Sequence, residues 1–374
     1  MGRPDLDLEK RLKAYGGDPR WVQRQIARDR AIRHRRIALA SFVSLAVIFG
    51  AAGAWTRITG SSPLHRGGSA ATTAKQKPKP PPTLPDGGRT ILPRTRVVAF
   101  YGAPQDAGLG TLGIGTPDAA GRRLDKMAAK YSADRPVLPA MELIATVVQA
   151  SPGEDGMYRA RQSSDLIGSY LAAARRAHAL LILDIQPGRS PFMREVHAYA
   201  RWLREPDVGI ALDPEWSMAP GQVPGTVIGS TDASIVNHVQ AYMSKIVKAH
   251  NLPQKLLIVH RFTTGMIRDA RTLKVYPGVA LTVNVDGFGD EANKVSKYDL
   301  FSSRKPGRYN GFKLFFHEDS GLMRPREVLR LIPRPDVVVY ESRPRSSRGS
   351  RPRPRTPRAP RRAWCLRPEG RGPR

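Results

Sequence analysis

Asp213 and Glu215 stand two residues apart at the end of a short apolar run, Val208-Gly-Ile-Ala-Leu-Asp-Pro-Glu-Trp216. Two carboxyl groups so placed can divide a proton-transfer reaction between them. One keeps its proton and donates it; the other stays ionised and steadies developing positive charge or receives a proton. Pro206 and Pro214 bracket the run, which is too short for a helix and apolar enough for a strand covered on both faces. The two carboxylates therefore belong at a strand tip, and a spacing of two puts them on one side if strand geometry continues.

Seven other runs have the same character: Arg96 to Tyr101, Val137 to Leu143, Leu180 to Gln186, Lys255 to Arg261, Val279 to Asp286, Phe312 to Glu318 and Asp336 to Glu341. Their C-terminal ends carry Tyr101, Glu142, Asp184 with Gln186, His260 with Arg261, Asp286, His317 with Glu318 and Asp319, and Tyr340 with Glu341. The chain is strongly basic, with a formal net charge of +29, so acidic residues gathered at strand ends stand out. Much of that charge lies in the termini. Residues 1–36 hold 11 basic against 5 acidic residues and residues 342–374 hold 12 against 1.

Amphipathic segments alternate with the runs. Pro117 to Tyr131, opened by Thr-Pro-Asp, and Ser164 to His178, Pro191 to Arg204 and Asp232 to His250 predict helices; Thr264 to Thr272 and Arg326 to Ile332 offer short ones. Eight strand-helix units in about 245 residues predict a (β/α)8 TIM-type barrel over 96–341, whose chemistry belongs at the C-terminal ends of its strands. An open doubly wound sheet is the alternative. Gly108-Leu-Gly-Thr-Leu-Gly113 has the spacing of a dinucleotide fingerprint, but it trails the first strand by several residues and lacks the acidic residue that would hold a ribose, so it reads as a flexible first loop.

A pair of carboxyl groups flanking a bond is what glycoside hydrolysis uses. On Leu212-Asp-Pro-Glu215 at the fourth strand and Glu318 at the seventh, the chain resembles the barrel glycoside hydrolases, and the Asp-x-Glu pattern is similar to that of chitinase-like and muramidase-like barrels. That resemblance implies Glu215 as general acid, Asp213 assisting it and Glu318 as the partner carboxylate. Tyr101, Glu142, Asp184, Gln186, Trp216, His260, Asp286, His317 and Tyr340 are then expected to hold sugar rings and hydroxyls.

No cofactor and no metal is expected. The single cysteine, Cys365, excludes an intrachain disulfide and a cysteine metal site, and no His-x-His pair marks the first strand. Serine chemistry lacks its Gly-x-Ser-x-Gly elbow.

Ile37 to Trp55 carries no charge, and at about 1.5 Å per residue it is long enough to cross a membrane as a helix. Arg33-His-Arg-Arg36 precedes it, so the positive-inside rule leaves a basic segment, 1–36, in the cytoplasm and sends the rest outside. Residues 56–95 are rich in Pro, Gly, Ser and Thr and read as a disordered linker; 342–374, rich in Arg and Pro, read as a disordered tail. The sequence thus predicts a single-pass membrane protein of a bacterial cell envelope, acting on polysaccharide or cell-wall glycan, with no nucleic-acid partner. A non-catalytic glycan-binding barrel and an envelope scaffold are the alternatives.

Overall fold

The computed structural model describes residues 80–342. The segments 1–36, 37–55 and 343–374, and most of the expected linker, lie outside the described residues. Among the described residues no helix is long and apolar enough to cross a membrane.

Eight strands form one closed barrel: β1 (Arg96–Gly102), β2 (Val137–Val148), β3 (Leu180–Ile185), β4 (Val208–Leu212), β5 (Lys255–Arg261), β6 (Val279–Val285), β7 (Arg308–Phe315) and β8 (Val337–Glu341). Each is parallel to both neighbours, and β1 closes the ring by pairing with β2 on one side and β8 on the other. Closure removes the open-sheet alternative. The runs are apolar on both faces because both faces are buried. Val98, Phe100, Leu143, Leu183, Ile210 and Val259 pack outward against the helices, while Val97, Ala99, Ala140, Ile182, Ala211 and Ile258 fill the interior.

The helices are α1 (Pro117–Ala128), α2 (Ser164–Arg176), α3 (Phe192–Ala198), α4 (Ala233–Ala249), α5 (Glu291–Phe301) and the single turn α6 (Pro325–Val328). Local signals fix their starts. Thr116 Oγ1 accepts from Ala119 N at 3.2 Å ahead of Pro117, Ser163 Oγ from Leu166 N at 3.2 Å, and Asp290 Oδ1 from Asn293 N at 2.9 Å. Between β5 and β6 only isolated turns occur, around a two-residue strand, Ile267–Arg268, that pairs with Thr231–Asp232.

Helix α5 was not expected from the sequence, and three further features depart from expectation. The first is β2, which runs on to Val148; its extension pairs antiparallel with Arg159–Arg161. Arg159 and Arg161 both grip the buried Glu195 of α3, at 2.9 and 2.7 Å, and so tie this rim to the helical layer. The second is β7, which ends at Phe315 rather than Glu318.

The third concerns the linker, which stops short of residue 95. Leu84, Ile91 and Leu92 are buried in the interior cluster and cover the N-terminal end of the barrel. Gln254 Oε1 receives the amides of Ile91 and Leu92 at 2.8 and 2.9 Å, and Tyr309 donates to Leu92 O at 3.0 Å. An open barrel end exposes its lowest layer of side chains, and these three residues seal it. Leu92→Ala is expected to cost about 2–5 kcal/mol, read as a lowered urea midpoint with unchanged slope.

Candidate functional site

Inward-facing residues alternate along each strand, and eight polar inward residues near the C-terminal ends converge beneath the mouth. They are Tyr101, Glu142, Asp184, Asp213, His260, Asp286, Lys313 and Glu341. All eight are buried, and one hydrogen-bonded and ionic network links most of them.

His260 is its centre. Its Nε2 lies 2.9 Å from Glu142 Oε1 and 3.8 Å from Asp184 Oδ1; its Nδ1 lies 3.2 Å from Asp286 Oδ2. Lys313 Nζ reaches Asp286 at 3.1 Å and Glu341 at 2.8 Å, and sits 3.9 Å from the centre of the Tyr101 ring. Tyr101 donates its hydroxyl proton to Asp184 Oδ2 at 3.1 Å and accepts from Gln186 Nε2 at 2.9 Å. Behind Lys313, the buried Lys294 donates to the carbonyls of Gly287 and Lys313 at 2.7 and 2.8 Å and pairs with Asp319 at 3.1 Å. That bolt holds the loop after β6 against β7.

The protonation states separate. Burial, reinforced by the charge of Glu215, raises Asp213 well above the usual carboxylate range, and burial pushes Asp184 up to about 7. Burial works the same way on Asp286, but the Lys313 charge and the His260 hydrogen bond overcome it and hold that carboxyl well below the usual range. Lys313 is raised against the pull of burial by Asp286 and Glu341. Burial and Lys313 both act to lower His260, yet Glu142 and the bond to Asp286 raise it.

Above this floor opens a cavity of about 80 Å³. Tyr101, Gln186, Asp213, Glu215, Asp286 and Glu341 bring polar atoms to it, and Trp216, Phe262, Phe288 and Phe315 bring aromatic rings. The chain leaves β4 at Leu212 and makes one tight turn over Pro214–Trp216, so strand geometry does not reach Glu215. Asp213 and Glu215 border the same cavity nonetheless. The Glu215 carbonyl accepts from Gly229 N at 2.7 Å, which fastens the long loop after β4 to this turn; a Cβ on Gly229 would meet Ser217 O at 2.4 Å.

The structure thus brings together Tyr101, Glu142, Asp184, Gln186, Asp213, Glu215, Trp216, His260 and Asp286. Three expected site residues lie elsewhere. Tyr340 faces outward, between the inward Val339 and Glu341, and its hydroxyl meets that of Tyr131 at 2.6 Å in the helical layer. His317 is exposed and Glu318 half-buried beyond the end of β7, neither bordering the cavity; the Ser342 hydroxyl donates to Glu318. Because β7 ends at Phe315, its last inward charged residue is Lys313. The readable signal was a lysine inside the apolar run Phe312-Lys-Leu-Phe-Phe316, where burial demands a partner.

No protein-family model matches the chain, and no curated protein matches it. Among solved structures, a D-allulose 3-epimerase from Methylomonas sp. is similar with a TM-score of 0.33 and 10% identity, over 67% of this chain and 85% of that one. Likeness at that level carries no argument about chemistry. What identifies the fold is its own strand pairing, closed and parallel throughout.

Proposed function

We propose that this barrel is a glycan-cleaving enzyme of the glycoside hydrolase type, held outside the cytoplasm by an anchor at residues 37–55. One observation carries the reading. A single cavity at the mouth is bordered by Asp213 and Glu215 from the end of β4 and by Asp286 and Glu341 from β6 and β8, with aromatic rings between them. β4 and β6 are separated by one strand, so their axes lie roughly 10 Å apart and inward carboxyl groups approach more closely. For Asp213 and Asp286, which continue these two strands, such a spacing is at the upper end of the roughly 5 to 10 Å over which paired carboxyl groups act on a glycosidic bond, and Glu215 borders the same cavity from the turn after β4.

In this reading Asp213 is the buried proton store and Glu215, half-buried beside it, delivers the proton to the departing glycosidic oxygen as the anomeric C–O bond breaks. Asp286, fixed by Lys313, is the partner carboxylate. It steadies the positive charge on the sugar and takes a proton from the water whose oxygen forms the new C–O bond. Trp216, Phe262 and Phe288 offer faces on which sugar rings stack. Glu318 has no part in this scheme.

The test is a hydrolysis and binding screen of the full-length protein against wall and extracellular glycans, beside Glu215→Gln. Product formation by the wild type, reduced roughly 100-fold or more in the variant with binding retained, is the expected result. Binding without products, equal in both proteins, would replace the enzyme by a glycan-binding barrel.

A further inference from the structure

We infer that Glu142, Asp184 and His260, beneath the floor of the mouth cavity, form a binding site for a divalent transition-metal cation of the Mn²⁺ or Zn²⁺ type. One ligand atom from each lies within 4.8 Å of the others, and all three residues are 0% exposed. None of the three borders the cavity, and the site meets the reaction proposed above through Asp286, which lies 3.2 Å from His260 Nδ1.

Two buried oxygens point to the ion independently of the cluster. Asp184 Oδ1, facing His260 Nε2 at 3.8 Å, makes no hydrogen bond, and neither does Glu142 Oε2. A carboxylate oxygen sealed from water without a partner costs free energy, and here one such atom, Asp184 Oδ1, faces the imidazole nitrogen while the other belongs to Glu142, whose Oε1 lies 2.9 Å from that same nitrogen. The second oxygen of Asp184 is already held by the Tyr101 hydroxyl at 3.1 Å, which fixes the carboxylate and leaves Oδ1 to coordinate. A cation about 2.0–2.2 Å from each donor satisfies these oxygens after small side-chain rotations.

The far side of the imidazole fits the same role. Nδ1 lies 3.2 Å from Asp286 Oδ2 and 3.2 Å from the Asn284 amide nitrogen; in the tautomer whose Nδ1 proton is donated to that carboxylate, the Nε2 lone pair turns toward Glu142 and Asp184. This carboxylate–histidine–metal relay is the usual way a protein sets the tautomer of a metal-binding histidine. Charge agrees. Glu142, Asp184, Asp286 and Glu341 are all buried around two basic side chains, His260 and Lys313, and a dication offsets the excess of acid. One imidazole nitrogen with carboxylate oxygens and no sulfur selects this group of metals rather than Cu(I) or an iron–sulfur cluster. The competing state is an imidazolium that donates to Glu142 at one end and Asp286 at the other, with no ion.

The full-length protein, stripped with EDTA and re-equilibrated with MnCl₂ or ZnCl₂, decides between them by metal analysis after gel filtration. About one equivalent per chain and a rise in unfolding temperature are expected. Glu142→Gln and Asp184→Asn should each weaken binding by on the order of tenfold or more, and Asp286→Asn by about 10–100-fold through the imidazole. Should the variants misfold, Co²⁺-loaded wild type answers alone: an imidazole-bound chromophore supports the site. No retained metal and no thermal shift in a folded wild type would overturn it. So would metal retained equally by well-folded variants.

Discussion

Lys313→Met is expected to destabilise the protein by about 3–5 kcal/mol at neutral pH, because it removes the buried cation that Asp286 and Glu341 share. Lys313 is 2.8 Å from Glu341 and 3.1 Å from Asp286, and is itself 1% exposed. The sign of the pH dependence follows from Asp286. Its folded pKa lies below the ordinary value, so its contribution is present above the unfolded pKa and is lost as pH falls through the folded one. In the variant the share of that depression due to Lys313 is removed, and the His260 share stays. The gap between wild type and variant should therefore be widest near neutrality and narrow in acid, as pH falls toward the depressed value of Asp286. Denaturant titrations at pH 7 and in acid check this; an equal gap at both would mean that Lys313 acts only by packing.

The second large effect concerns Asp213. Asp213→Asn is expected to lower kcat/KM by roughly 10²- to 10⁴-fold on any glycan the wild type cleaves. Its carboxyl is raised well above the usual range by burial and by the charge of Glu215, so it stays protonated well above the pH at which an ordinary aspartate ionises. Activity resting on that proton falls as pH rises through the elevated pKa. The asparagine variant has no such proton to lose, and its residual rate should be flat across that limb. A variant that kept the wild-type limb would remove Asp213 from the proton path and leave Glu215 acting alone.

Much of this site was legible because its constraint is severe. Eight runs apolar on both faces can hardly be anything but buried strands, and a carboxylate at the end of such a strand has little choice but the barrel mouth. Legibility failed where a strand boundary or parity decided the matter. Tyr340 sits one residue before an inward position and therefore faces the helices, and Glu318 was assigned to a strand that stops at Phe315. Composition misled at 84–95, where three apolar residues among prolines and glycines suffice to seal the barrel. Helix α5, Glu291–Phe301, was missed because its surface is polar and only Lys294, Tyr298 and Phe301 are buried; one of those is a lysine whose partners lie on other elements.

The sealed N-terminal end gives the domain a direction. The described chain enters beside Leu84, at the end opposite the cavity, and leaves through β8, whose last residue borders it. A tether attached ahead of residue 80 leaves the mouth unobstructed and turned away from the attachment point. Anything joined after residue 342 starts at the rim. The two ends of the described domain are therefore not equivalent as attachment points: one lies opposite the cavity and the other at its rim.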